Sequence, residues 1–322
     1  MSILKKTLLM ISVVMLTVSV MSQSVEDAGA KYNEGNEYYK EKNYKVAITS
    51  YEAALKIANK VGADAADLKG SIEKQLLNTV YAIGKEQYKA KKFDAAIASF
   101  EKSYAMSEQL GDESKKQSST SFIAKVRTSK GGSLLKKNKV DEAFAEYTMA
   151  IELLPTYVNA YYGLVLVYNS QDDMANMIVN ADKVIEYGAA KKKAAKIIKK
   201  TKSTASKALV NAGAKEIQKD QSKKAIELIE SSFNYAPGNS TTYYYLSLAY
   251  GKTKNWDKSI EAANMAISLE TEKDKSDMYF ALGQAYEGKG SGGDACVAYN
   301  NVTGGPNVEA AKYQMTQVLK CN

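Results

Sequence analysis

Ser71 and Lys74 have the Ser-x-x-Lys spacing in which a lysine activates a serine nucleophile, and they are the nearest approach to a catalytic pair in the chain. They lie in a charged stretch that is typical of a helix, without a partner motif. The chain has no histidine, which excludes Ser-His-Asp triads, histidine bases and histidine-containing zinc sites. We therefore predict that the protein is not an enzyme and holds no metal or cofactor.

Two glycine-containing stretches imitate phosphate-binding loops. Gly251-Lys252-Thr253 has the last residues of such a loop but lacks the upstream glycine, and no strand precedes the glycine-rich stretch from Gly288 to Gly293. Glycine supplies the left-handed conformations that a tight connection requires. Both stretches are predicted to be turns between helices.

Glycine, alanine and aromatic residues recur at helical spacing along the chain, and this pattern predicts that the whole chain is built of helices. An alanine follows each repeated glycine by twelve residues, and an aromatic residue follows four residues later in most copies. The repeated glycines are Gly35, Gly84, Gly131, Gly213 and Gly283, and Val165 and Ser247 stand at the same place in two further copies. The alanines are Ala47, Ala96, Ala143, Ala225 and Ala295, and the aromatic residues are Tyr51, Phe100, Tyr147 and Tyr299.

The pattern resembles the tetratricopeptide repeat, a helix-turn-helix unit of about 34 residues. Its fullest copies are Tyr243-x-x-Leu246-Ser247-x-x-Tyr250 and Tyr279-x-x-Leu282-Gly283-x-x-Tyr286. The resemblance implies an all-α superhelical solenoid of antiparallel helix pairs, forming one domain over residues 23–322. The repeats would lie near residues 28–61, 77–110, 124–157, 158–191, 206–239, 240–273 and 276–309, with a cap helix over 308–320.

Three of the six spacings between the repeated glycine positions are 34–36 residues, and three are 47–49 residues. The stretches Ala63–Lys92, Glu113–Lys137 and Ala189–Lys219 lack proline and favour helix. We therefore predict first helices that are extended by three to four turns at their N-terminal ends. The alternative is an inserted short helix, with breaks at Gly70, Gly188 or the run from Ser118 to Ser121.

The N-terminus has the pattern of a cleavable secretory signal peptide over residues 1–22. Lys5 and Lys6 precede an apolar or hydroxylic run from Thr7 to Val20, and cleavage after Ser22 would leave Gln23 first. The run is too short to span a bilayer comfortably. We expect an exported protein, periplasmic or secreted, that is soluble after cleavage.

Cys296 and Cys321 are the two cysteines of the chain. In the expected solenoid, neighbouring helices run antiparallel, so the start of the last second helix lies near the end of the cap helix. The two residues are not in the Cys-x-x-Cys spacing of redox enzymes. We predict a structural disulfide, with two free thiols as the alternative.

Tetratricopeptide arrays bind partners mainly through the concave surface of their first helices, so the resemblance implies a partner-binding groove there. An aromatic-lined groove favours extended or helical segments with apolar side chains. The alternative is that these rings pack beneath their neighbours. The predicted groove residues are Tyr32, Asn36, Tyr39, Tyr81, Tyr88, Tyr162, Leu166, Tyr244, Leu248 and Phe280.

The formal net charge of the chain is +8, and its densest excess is a basic face formed by Lys191, Lys192, Lys193, Lys196, Lys199 and Lys200. Such a face could meet an anionic membrane surface or an acidic partner, or could simply be a solvated helix face. Arg127 is the only arginine, which argues against nucleic acid as a partner.

The repeats, the signal peptide and the lack of catalytic groups together predict an exported scaffold or adaptor of the cell envelope, with protein partners among envelope or secretion components. A glycan- or peptidoglycan-associated adaptor is the alternative, because tyrosine-lined grooves also stack on sugar rings. A repeat fold does not by itself identify the partner.

Overall fold

The computed structural model describes residues 24–271 and 274–321. The described residues form two compact units, which divide between Val126 and Arg127, within one helix, Glu113–Lys136. The predicted signal peptide lies outside the described residues. The repeat boundaries and the single domain over residues 23–322 remain predictions.

Seven helical hairpins follow one another in the described part of the chain, and no strand occurs there. The first helices of the hairpins are α1 (Val25–Lys40), α3 (Ala66–Lys89), α5 (Glu113–Lys136), α7 (Val158–Ser170), α9 (Ala195–Gln218), α11 (Ser240–Lys252) and α13 (Ser276–Lys289). The second helices are α2 (Tyr44–Val61), α4 (Phe93–Gln109), α6 (Val140–Leu153), α8 (Met174–Gly188), α10 (Ser222–Ser232), α12 (Trp256–Leu269) and α14 (Gly292–Asn300). The all-α repeat fold expected from the sequence is confirmed.

The prediction of extended first helices is confirmed as well. Helices α3, α5 and α9 each have 24 residues, whereas α7 and α11 have 13. Gly70 lies inside α3 and the run from Ser118 to Ser121 lies inside α5, so neither breaks a helix. Gly188 is the last residue of α8, and a short 3₁₀ turn, Lys192–Ala194, follows before α9. A similar turn, Gly62–Ala65, precedes α3.

The repeated glycines bring the two helices of a hairpin together, because an aromatic or branched side chain fills the space beside each one. A β-carbon added at Gly35 would lie 2.6 Å from the Tyr51 ring. Where Val165 replaces the glycine, the residue sixteen positions later is the smaller Ala181, in the same core cluster. The hairpin of α7 and α8 therefore has its larger side chain on the first helix and its smaller one on the second, the reverse of the glycine-containing hairpins. The other close pairs are Gly84 with Phe100, Gly131 with Tyr147, Gly213 with Ile229 and Gly283 with Tyr299.

One turn geometry joins the two helices of every hairpin. The residue seven positions after the repeated glycine has a left-handed backbone, with φ from 56° to 85°. The next residue donates its N–H to the carbonyl five residues earlier, as from Asn43 to Tyr38 at 2.8 Å, which is the Schellman arrangement that satisfies the last carbonyls of a helix. The left-handed residues are Lys42, Lys91, Asn138, Asp172, Asp220, Lys254 and Gly290.

Within the second unit, a row of exposed ion pairs connects successive hairpins at this turn edge. Lys215 at the end of α9 pairs with Asp172 in the preceding turn, with 2.8 Å between nitrogen and oxygen. Lys289 at the end of α13 pairs with Asp257 at 2.7 Å. Lys252 and Asp220 form the pair between these two.

The last helix, α15 (Val308–Tyr313), continues into a π-helical turn, Gln314–Val318, at the position predicted for the cap helix. Buried Ala311 belongs to the same core cluster as Tyr299 and Val302. A disulfide joins Cys296 to Cys321, with 5.8 Å between their Cα atoms. The predicted pairing of the two cysteines is thus present, and it ties the chain end to α14.

Because ionisation of buried tyrosines is unfavourable in the folded state, we expect the protein to lose stability at alkaline pH. Burial raises the pKa of Tyr51 and of Tyr147 from 10.0 to about 12, so the unfolded chain loses these protons at lower pH than the native one. Their contribution to stability is complete below pH 10 and should disappear between pH 10 and 12. Urea unfolding midpoints measured across this range should fall together with the appearance of phenolate absorbance. Titration of all tyrosines near pH 10 without loss of stability would contradict the expectation.

Candidate partner-binding surfaces

The predicted groove residues are neither fully exposed nor, with one exception, fully buried. Tyr162 is 8% exposed and belongs to the core. The other nine are half-buried: Tyr32, Asn36, Tyr39, Tyr81, Tyr88, Leu166, Tyr244, Leu248 and Phe280. Half-burial is compatible with both interpretations of these residues, groove lining and core packing, and the groove remains a prediction.

In the first unit the groove rings rest on rings of neighbouring helices. The Tyr32 and Tyr51 ring centroids are 5.9 Å apart, and Tyr81 meets the Phe100 and Phe122 rings at 5.4 and 5.5 Å. Burial also raises the pKa of Tyr81 above its usual value. These rings are held in place before any partner arrives, so a partner would meet a preorganised surface.

Asn36 has a structural partner in the same hairpin. Its Oδ1 accepts a hydrogen bond of 2.8 Å from the Tyr51 hydroxyl, so the side chain holds that buried ring in place. Tyr39 and Tyr88 follow the same pattern as the other rings, since they pack against Tyr44 at 5.3 Å and Phe93 at 6.4 Å.

In the second unit the groove residues likewise have neighbours. The Phe280 and Tyr299 centroids are 5.6 Å apart, and those of Tyr244 and Tyr245 are 5.5 Å apart. Burial raises the pKa of Tyr244. Leu166 and Leu248 pack against the core clusters of their hairpins.

The basic face differs from the sequence-based expectation of one extended helix face. Helix α9 begins only at Ala195, so Lys191, Lys192 and Lys193 precede it. The Lys191 ammonium donates to the Thr156 carbonyl at 2.9 Å, and the Lys200 ammonium lies 4.9 Å from the Tyr162 ring centroid. Lysines at 191, 193, 196 and 200 line one pocket of about 460 Å³, whereas Lys199 lines another.

That second pocket, of about 770 Å³, lies beside the first half of α9. We call it the α9 pocket and define it by Ile198, Lys199, Lys202, Lys207, Val210 and Tyr235. The sequence analysis missed it, although one signal was present. Val210 stands at the repeat position that carries Tyr162, Tyr244 and Phe280 in other hairpins, so this hairpin lacks the ring that would occupy the space.

The residues that imitate catalytic motifs have ordinary structural roles. The Ser71 hydroxyl donates to the Asp67 carbonyl at 3.2 Å within α3. Lys252 pairs with Asp220, and Gly290 forms the left-handed turn between α13 and α14. Residues 24–271 and 274–321 contain no group of three or more histidine, cysteine or acidic side chains placed to hold a metal ion. No helix in these residues combines the length and apolar character that a membrane span needs.

Comparison with known proteins identifies one repeat directly. Residues 28–61 match the tetratricopeptide repeat model, over the bounds predicted for the first repeat. No curated protein sequence matches the chain.

Several solved helical-repeat structures are similar to the chain at low identity. MamA from Desulfovibrio magneticus RS-1 is 19% identical, with 61% of this chain and 97% of that chain covered and a TM-score of 0.38. YrrB, described as a TPR protein with an unusual peptide-binding site, is 14% identical, with coverages of 61% and 88% and a TM-score of 0.38. A tetratricopeptide repeat protein from Parabacteroides merdae is 13% identical, with coverages of 92% and 100% and a TM-score of 0.29. Similarities at this level carry no information on partner or activity. The chain is an all-helical repeat protein that contains a tetratricopeptide repeat at residues 28–61.

Proposed function

We propose that the protein is an interaction scaffold that binds a segment of a partner protein on the aromatic surface of its first helices. The observation that carries the proposal is the half-burial of rings such as Tyr81 and Tyr244. Each is anchored by neighbouring rings and still presents part of its surface. Anchored aromatic side chains bury large contact areas at low entropic cost, which is why they dominate binding energies at protein interfaces.

The test removes ring surface without removing the packing beneath it. Because Tyr81 contacts Phe100 and Phe122, leucine is preferable to serine as the replacement. The tagged Tyr81→Leu/Tyr244→Leu variant is compared with wild type in a crosslinking pull-down from the envelope fraction of the host. Tyr104→Leu/Tyr187→Leu is the matched control, since these half-buried rings lie on second helices, α4 and α8.

We expect a small set of proteins that wild type and the control capture and the groove variant loses, while all three unfold at similar urea concentrations. Equal loss of the captured proteins from the control variant would contradict the proposal that partners bind in the groove. Loss that accompanies unfolding of the groove variant alone would show that the rings act only in packing. Captured glycan fragments in place of proteins, lost with the same substitutions, would favour the glycan-binding alternative.

We also propose that the protein is exported and acts in the cell envelope or outside it. The pattern of residues 1–22 supports the proposal, and so does the Cys296–Cys321 disulfide, because such bonds persist mainly in oxidising compartments. Mass spectrometry of the protein from the periplasmic or secreted fraction should find a mature chain that begins at Gln23. A full-length chain confined to the cytoplasm would contradict the proposal.

A further inference from the structure

The α9 pocket lies where the row of groove rings is interrupted, because Val210 stands at the repeat position that carries Tyr162 and Tyr244 in the neighbouring hairpins. Its floor is apolar, formed by Ile198, Val210 and the Tyr235 ring, and its rim carries Lys199, Lys202 and Lys207. The Tyr235 hydroxyl donates its proton to Asp182 Oδ1 at 2.8 Å, so it can act towards a ligand only as an acceptor. A volume of about 770 Å³ is within the range of pockets that hold ligands.

Two features of this hairpin produce the pocket. Helix α9 has 24 residues and its partner α10 has 11, so the first half of α9 extends beyond the span of its hairpin partner. Val210 then replaces the ring that fills the equivalent place in the neighbouring α7 and α11 hairpins. The extension supplies the lysines, and the smaller residue supplies the space.

The charge of the pocket is unbalanced. No aspartate or glutamate lines it, and its three lysines form no ion pair among the described residues. A third pocket of this unit, of about 480 Å³, contains both lysines and carboxylates. There Lys215 pairs with Asp172, and Lys219 and Lys224 pair with Glu216. The three lysines of that pocket each have a carboxylate partner, whereas the three of the α9 pocket have none among the described residues.

We propose that the α9 pocket binds an acidic segment of a partner protein, with an apolar side chain on the floor and carboxylates at the three lysines. Charge complementarity selects this occupant, because a cationic rim around an apolar floor matches an anionic chain that carries apolar residues. The inference depends on the proposed function only in requiring a protein partner. It assigns that partner's chemistry at the one hairpin of the second unit where lysines and Val210 line the surface in place of a ring.

The test uses a fluorescein-labelled peptide of alternating glutamate and leucine residues, with fluorescence anisotropy as the readout, and the full mature chain. The pocket variant is K199Q/K202Q/K207Q. The matched control is K192Q/K193Q/K196Q, which removes the same charge from exposed lysines of the same basic stretch that do not line the pocket. A second peptide replaces leucine with serine. Circular dichroism verifies that every variant is folded.

We expect the pocket variant to bind the peptide about tenfold more weakly than wild type, because three partly exposed lysine contacts are each worth only a fraction of a kcal/mol. The control should bind within about twofold of wild type at physiological salt, where distant charges are screened. The serine peptide should bind more weakly than the leucine peptide.

Equally weakened peptide binding by both lysine variants would show general attraction between opposite charges and would contradict the assignment of the peptide to the α9 pocket. So would the absence of peptide binding. Binding of phosphatidylglycerol vesicles that the pocket variant alone loses, without peptide binding, would assign the pocket to a membrane surface and overturn the proposal. None of these outcomes affects the pull-down with the tyrosine variants, so the two proposals fail separately.

Discussion

Replacing Gly163 with alanine should destabilise the second unit by about 3 kcal/mol, at the upper end of the usual cost of overpacking a core. The new β-carbon would lie 2.2 Å from the Tyr147 ring, which is only 3% exposed. The ring is confined by α5 as well, because a β-carbon built at Gly131 would lie 2.9 Å from it. Tyr147 therefore sits in a slot that requires glycine on both α5 and α7.

Urea unfolding of Gly163→Ala can be compared with that of Gly132→Ala. A β-carbon at Gly132 would lie 3.6 Å from the Tyr147 hydroxyl, an ordinary contact, so this control should gain up to about 1 kcal/mol from helix propensity. Tyr147→Leu removes the ring, and the cost of the double variant with Gly163→Ala should be well below the sum of the single costs. Additive costs would show that the glycine and the ring do not compete for space.

Glu146→Gln should destabilise the same unit by about 2 kcal/mol. The loss would be larger if the two cations that contact Glu146 were fully buried, but both keep some contact with water. The Glu146 carboxylate is buried between two cations, with its oxygens 3.2 Å from Arg127 Nη1 and 2.7 Å from Lys130 Nζ. Glutamine keeps the volume and removes the charge, which leaves the two cations facing each other across a neutral amide.

The control for this variant lies on the same helix. Glu142 pairs with Lys139 at 2.9 Å, but both side chains are more than half exposed, so Glu142→Gln should cost less than about 0.5 kcal/mol. Urea midpoints at low and high salt separate the two cases, because salt screens the exposed pair more than the buried one. A Glu146→Gln variant as stable as Glu142→Gln would contradict the prediction.

The sequence was sufficient for the fold because the repeat is encoded by residue size. Glycine at position 35 and tyrosine at 51 define the close approach of two helices, and the unequal spacings located the extended helices. The turns were harder to predict from the sequence. Lysine, asparagine and aspartate occupy six of the seven left-handed positions, so the usual glycine signal is present only at Gly290.

The sites could be predicted only in part, because exposure depends on neighbours that periodicity does not encode. Tyr162 and Tyr81 occupy the same repeat position, yet Tyr162 is buried and Tyr81 is half-buried. The lysine run appeared as one face in the sequence. Because successive residues point in different directions around a helix, Lys199 and Lys200 line different pockets. The α9 pocket itself depends on where α9 lies beside α11, which no residue pattern expresses.

The ion pairs at the turn edge give the second unit an elastic asymmetry. The rings and glycines inside its hairpins are held together by packing, which charge screening does not weaken. The pairs Asp172–Lys215, Asp220–Lys252 and Asp257–Lys289 are exposed and weaken as salt rises. We therefore expect bending that opens the turn edge to become easier in concentrated salt, so that the ionic environment adjusts the stiffness of this unit at that edge.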